Sequence, residues 1–200
     1  MKNAYKTPAL LATAASLVLL GLSAGASAQT TDPAPVQPAV PPVTAPVTAP
    51  AVAEDANAAK DFMREAFMAN EFSIAASQLA ATQGEDPDVK AAAQAVLDNG
   101  LKTRAAMVTA IQGSTSDMHF DQNFTDDYTT KLGELKVAQG ADFDTKYVAA
   151  QGAVNDKAED VFKAYATTGT DESVKTFAAN TLPVLAANGD KLDAVSQGGN

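Results

Sequence analysis

Few residues in this chain can carry chemistry, and their spacing excludes most of it. Among 200 residues there is no Cys and a single His, His119. Without Cys there is no disulfide, no thiolate metal ligand and no Cys nucleophile. With one His and no nucleophile elbow, a Ser-His-Asp hydrolase has nothing to assemble from. His119 stands beside Met118 in a polar stretch, where a solvated side chain is a better reading than a haem ligand. A carboxylate-bridged di-iron bundle needs Glu on two helices and Glu-x-x-His on two more, because i and i+3 share one inner face. Here Glu65, Glu71, Glu134, Glu159 and Glu172 are followed three residues on by Met68, Ile74, Val137, Phe162 and Lys175. The acidic residues 117–127 contain Asp121-x-Asn123-x-Thr125, which opens like an EF-hand loop. Asp126 then stands at its Gly position and Leu132 at its terminal Glu position, so the stretch reads as a solvated loop. No catalytic residue, no metal and no cofactor is expected.

The elements that would position any site are helices. Phe143, Tyr147, Ala150, Val154, Ala158, Val161 and Tyr165 recur at steps of three and four and form one helical stripe, with Asp144, Lys146, Asp156, Glu159, Asp160 and Lys163 on the polar side. Such a helix, expected over residues 142–168, needs partners, and the chain supplies them on both sides. The first helix is expected over residues 57–83, with Phe62, Ala66, Ala69, Phe72, Ala76 and Leu79 inward, widened by Met63, Phe67 and Ile74; Gly84 stops it. Asp86-Pro87 pairs an N-cap with a first-turn Pro and starts the second, residues 87–112. Its stripe reads Ala93, Leu97, Leu101, Ala105, Val108 and Ile111, and Gly113 closes it. A shorter helix over 122–139 carries Phe124, Tyr128, Leu132 and Leu135, with Gly140 ending it. The last, residues 171–195 with Thr170 as N-cap, carries Val174, Phe177, Thr181, Leu185, Asn188, Leu192 and Val195, and Pro183 predicts a kink in it. No strand pattern appears outside the N-terminal region. The fold class is all-α, an antiparallel four-helix bundle with one extra short helix.

Two segments precede the bundle. Residues 1–28 read as a secretory signal peptide: Lys2 and Lys6, an apolar run from Ala9 to Leu22, and Ala26-Ser27-Ala28 as cleavage site. The run is short for a membrane span, which takes ~20 residues. No Cys follows the site, so the chain is not expected to be a lipoprotein. Residues 29–56 hold Pro33, Pro35, Pro38, Pro41, Pro42, Pro46 and Pro50 with a tandem Pro-Val-Thr-Ala. Too little surface is available there for a core, so a disordered, extended linker is expected, reaching roughly 80 Å at ~3.1 Å per residue. The bundle domain is expected over residues 57–196. The formal net charge is −10 and the pI about 4.4. That charge argues against nucleic acid and anionic membrane surfaces as partners.

Several pieces of the bundle carry a resemblance. Met68-Ala-Asn-Glu71, Val96-Leu-Asp98 with Lys102, Phe143-Asp144-x-x-Tyr147, Lys157-Ala158 with Phe162, and Phe177-Ala178 with Thr181-Leu182-Pro183 resemble the domain-of-unknown-function family 4142. Its members are bacterial envelope proteins of ferritin-like fold, often labelled "predicted outer membrane protein". The resemblance spans about residues 57–195. It implies an exported ferritin-like bundle and no established reaction. Members of that family usually carry three His, which by the motifs would fall at Gly100, Asn155 and Asn188, and a second acid on the first helix, which falls at Ser73. A metal or proton-handling role resting on those groups would be lost in this chain.

The expected function is that of an exported, periplasmic helical bundle, a non-enzymatic envelope or stress-associated interaction module. Its partner would be an envelope protein or a cell-wall component, met by helix faces or the acidic loop. The alternative is a ligand- or metal-binding ferritin-like protein with a degenerate inner site at Glu71, Asp98, Asn155 and Asn188. Asn188, on an apolar stripe, is expected to be a buried, hydrogen-bonded residue that sets helix register.

Overall fold

The computed structural model describes residues 49–198, with side chains from residue 56. The signal peptide expected over 1–28 and most of the linker expected over 29–56 lie outside the described residues. Five helices follow in order: α1 (Ala49–Gln83), α2 (Pro87–Gly113), α3 (Asp126–Val137), α4 (Gly140–Thr168) and α5 (Glu172–Gly198). No strand occurs among the described residues. α1 starts eight residues before the expected Asn57, with Pro50 in its first turn, where a missing N–H costs nothing.

The four long helices form a ring in the order α1, α2, α5, α4, each packed on two neighbours. Cross-contacts fix their directions. Glu71 meets Arg104 and Ile74 meets Gly100; Glu65 meets Lys157 and Ser77 meets Tyr147; Asn99 meets Asn188 and Ala110 meets Ser173; Asn155 meets Leu185 and Phe162 meets Phe177. In each pair one residue number rises as the other falls, so every adjacent pair is antiparallel. The α1–α2 and α4–α5 hairpins are joined by a long crossover, the connection of ferritin-like bundles. α3 forms part of that crossover and lies over the seam between α1 and α4, with Tyr128, Leu132 and Leu135 buried.

Local chemistry explains the joints. Asp86 caps α2, its carboxylate accepting from the N–H groups of Asp88 at 2.7 Å and Val89 at 3.4 Å. Asp171, rather than the expected Thr170, caps α5 by accepting from Val174 N–H at 3.1 Å. Gly140 does not end α3, which stops at Val137 with Ala138 as C-cap; it begins α4 with φ at 59°, and a Cβ there would stand 3.0 Å from Glu85 Oε2. α5 runs without a break through Pro183.

Two inward faces differ from the sequence reading. On α4 the stripe is centred about one residue on: Asp144, Gln151, Asn155 and Phe162 are buried, and Ala150 and Val161 only partly so. Asp144 therefore leaves the polar side. Its carboxylate accepts from the N–H groups of Glu85 at 3.0 Å and Asp86 at 2.7 Å, tying α4 to the α1–α2 turn. On α2 the inward residues are Val89, Ala93, Val96, Gly100, Met107 and Ala110, while Leu101 and Val108 remain 47% and 50% exposed. The reason is steric. α2 meets α1 through small residues, and a Cβ at Gly100 would already lie 2.8 Å from Ile74 Cγ1. Leu at that contact would force the helices apart.

Candidate functional site

The bundle centre lies between two aromatic layers. Below it Phe62 stacks on Tyr165, ring centroids 4.4 Å apart, and meets Phe162 edge-on at 5.0 Å. Above it Phe143 stacks on Tyr147 at 5.9 Å, and the Tyr147 hydroxyl shares a 2.9 Å hydrogen bond with Ser77. Between them is a cavity of about 30 Å³ lined by Asn70, Ser73, Gly100, Asn155, Thr181 and Asn188 among Ala, Val and Phe side chains. A water needs roughly 10–15 Å³ measured this way, so the space suits one or two waters or a group of that size.

The four candidate residues do not come together. Asn155 and Asn188 both line the cavity and are 3% and 6% exposed. They make no hydrogen bond to each other. Asn155 Nδ2 donates to the Leu185 carbonyl at 3.1 Å, and Asn188 Oδ1 accepts from Asn99 Nδ2 at 2.7 Å. Glu71 turns away from the centre and is held by Arg104 through both guanidinium Nε, at 2.7 Å, and Nη2. Asp98 is on the exposed face of α2 and accepts from Gln94 Nε2 at 2.9 Å. The degenerate site thus reduces to two asparagines.

The structure adds polar groups that the sequence reading left out. Gln151, 1% exposed, donates from Nε2 to Ser73 Oγ at 2.8 Å, and Ser73 Oγ donates on to the Ala69 carbonyl at 2.9 Å. Gln151 Oε1 and Asn70 Nδ2 are buried with no hydrogen-bond partner among the described residues. Gln83 reaches from α1 to the end of α3, its Nε2 lying 3.2, 3.0 and 2.8 Å from the carbonyls of Leu135, Lys136 and Ala138. Asn70 and Gln151 each stand one helical step from an apolar stripe, and a shift of 100° in the assumed face hides them, whereas Gln83 continues the Ala76 and Leu79 stripe of α1.

The three positions at which the resemblance places His (Gly100, Asn155 and Asn188) all line this one cavity. The groups present do not fit a transition metal. Amides and hydroxyls stand where imidazole, thiolate or carboxylate ligands would be needed, and Gly100 has no side chain. Among the described residues no group of three or more His, Cys, Asp or Glu could hold a metal ion. The loop acids are also dispersed. Asp117 pairs with the exposed His119, Asp121 accepts from Asn123 N–H at 3.0 Å and Nδ2 at 2.6 Å, and Asp127 pairs with Lys131.

A second concavity lies directly outside. The seam between α2 and α5 opens into a surface groove of about 560 Å³, and Thr103, Thr181 and Val184 line both the groove and the inner cavity. The groove carries one charge, Lys102, and no carboxylate.

Fold and cavity together define a ferritin-like four-helix bundle whose centre is closed by amides and hydroxyls. The chain belongs to the family described as "Domain of unknown function (DUF4142)", which matches residues 44–195. No curated protein and no solved structure matches it. Among the described residues no helix is long and apolar enough to cross a membrane.

Proposed function

We propose that this protein is an exported envelope module that works by binding a partner, without catalysis and without a resident metal. The signal-peptide pattern of residues 1–28 and the Pro-rich stretch after it support export, with the bundle presented on a spacer. The observation that carries the binding reading is the fate of the acids. Glu71 is paired with Arg104 and Asp98 faces outward to Gln94, so the inner cavity is left with amides and hydroxyls, which neither transfer a proton near neutral pH nor suit a transition metal. What remains for function is surface: helix faces, the acidic loop and the α2–α5 groove. Envelope proteins and cell-wall components are the partners that this location would offer.

Cell fractionation with N-terminal sequencing tests the export half. The expected result is a chain in the periplasmic or secreted fraction beginning at Gln29. A full-length chain retained with the cytosol would refute it. The second reading, a ligand-binding protein with a small inner site, is favoured by the contact between cavity and groove, and it differs from the first in requiring a small molecule rather than a macromolecule.

A further inference from the structure

The α2–α5 groove is more apolar than its sequence. Thr and Ser supply much of its wall, but three of those hydroxyls are already committed. Thr109 Oγ1 donates to the Ala105 carbonyl at 3.2 Å, Thr181 Oγ1 to the Phe177 carbonyl at 2.8 Å, and Ser173 Oγ to the Ala110 carbonyl at 3.0 Å. With their hydrogens turned back onto the backbone, Thr109 and Thr181 offer methyl groups, beside Ala106, Ala110, Phe177 and Val184. The volume, about 560 Å³, falls in the range of small-molecule sites, roughly 300–1,000 Å³. The stretch from Lys102 to Ala110 runs about 12 Å along the helix axis at 1.5 Å per residue.

The charge at the upper end is specific. Lys102 is exposed and makes no ion pair among the described residues. The acid one turn before it, Asp98, is engaged by Gln94 at 2.9 Å. An ammonium at the mouth of a carboxylate-free apolar groove, on a chain of net charge −10, selects an anion locally although the molecule as a whole repels anionic surfaces.

We infer that the groove binds a single-chain anionic amphiphile, with its alkyl chain along α2 and α5 and its carboxylate or phosphate at Lys102. This rests on the binding reading above and gives that module a ligand class. The ligand is taken as a monomer, since an anionic bilayer would meet the acidic remainder of the molecule.

The test is calorimetric titration of the purified protein with dodecanoate and with dodecyl phosphate, both below their micelle concentrations, and with uncharged dodecyl maltoside. Saturable binding of one anionic amphiphile per chain is expected, with the maltoside weaker by about tenfold or more, and Lys102→Glu weakening the anions by a similar factor. Ala106→Trp, at an exposed position on the groove wall, should remove binding while leaving the melting curve in place; if that variant does not fold, Thr109→Trp serves on the same wall. A preference for dodecyl phosphate over dodecanoate would point to a lipid-derived head group, and the reverse to a free fatty acid; either supports the inference. Absence of saturable binding, full binding by Ala106→Trp, or equal binding of the maltoside would overturn it. So would a wild-type dimer that Ala106→Trp dissociates, which would make the groove a contact between copies. A failed titration leaves the fractionation result untouched, so the two readings fail separately.

Discussion

Asn188 and Asn155 line one cavity without a hydrogen bond between them. The Asn188 side-chain oxygen accepts from Asn99 Nδ2 at 2.7 Å, which links the middle of α5 to α2 across 89 residues of sequence. Asn155 spends its amide on the Leu185 carbonyl instead. Two asparagines that line one cavity thus each commit one side-chain atom, the Asn155 nitrogen and the Asn188 oxygen, to a contact between helices.

From this follows the effect of Asn188→Leu. The variant gains a buried apolar side chain next to a small cavity and frees a half-buried Asn99 amide that can turn to solvent. The two effects nearly cancel, each being about 1 kcal/mol. Thermal unfolding should move by no more than about 2–4 °C. A fall well beyond that would show that Asn188 supports more than the contact to Asn99.

Glu71→Gln tests the ion pair to Arg104. Both partners retain solvent contact, with side chains 21% and 43% exposed. Screening therefore limits the loss to about 0.5–1 kcal/mol. Urea unfolding should give that difference at low salt and a smaller one at high salt. A larger loss that salt does not change would mean that Glu71 serves the core rather than Arg104.

Asp144→Ala should be costlier. It leaves the Glu85 and Asp86 N–H groups without their carboxylate at the α1–α2 turn. Unmade hydrogen bonds of partly buried groups cost about 1–3 kcal/mol. Loss of the Asp86 cap in Asp86→Ala costs about 1 kcal/mol. The expected order in urea midpoint is wild type, then Asp86→Ala, then Asp144→Ala, and the reverse order of the two variants would contradict it.

Two tyrosines give a pH signature. Burial pushes the Tyr147 hydroxyl up to about 12, against a smaller opposing effect of the Ser77 hydrogen bond. Burial also raises Tyr128, helped by the neighbouring Glu65 carboxylate. A phenol with a raised folded-state pKa stabilises the fold fully below the unfolded value near 10. That contribution is lost as pH climbs through the folded value. Ultraviolet titration of the folded protein should show Tyr128 and Tyr147 silent at pH 10, ionising in step with unfolding. Tyr147→Phe should remove one of these late ionisations; ionisation of both near pH 10 in the folded state would contradict their burial.

How much of this was legible in the sequence depends on contrast between faces. α1, α3 and α5 alternate large apolar and polar residues clearly, and their inward residues Phe62, Phe72, Tyr128, Leu132, Val174, Phe177 and Asn188 follow the expected stripes. On α2 the large apolar residues Leu101 and Val108 lie away from the inward face, which is lined largely by Ala, Val and Gly, so side-chain size pointed to the wrong stripe. The face that wins is the one with the smallest residues, because Ile74 of α1 leaves no space at Gly100, a fact about the partner helix. Asp144 and Gln151 were hidden because their burial depends on donors and acceptors 59 and 78 residues away. The separation of Glu71 and Asp98 from the two asparagines was likewise invisible, since residue spacing reports a helix face only after the packing face is known.

The central claim, a binding module whose bundle centre holds no metal, is met most directly by elemental mass spectrometry of the untagged protein purified without chelator. Iron, zinc and manganese are each expected far below one per chain. Any of them at close to one per chain, lost in Asn155→Ala or Asn188→Ala, would contradict that claim and would make the amide-lined cavity a metal site.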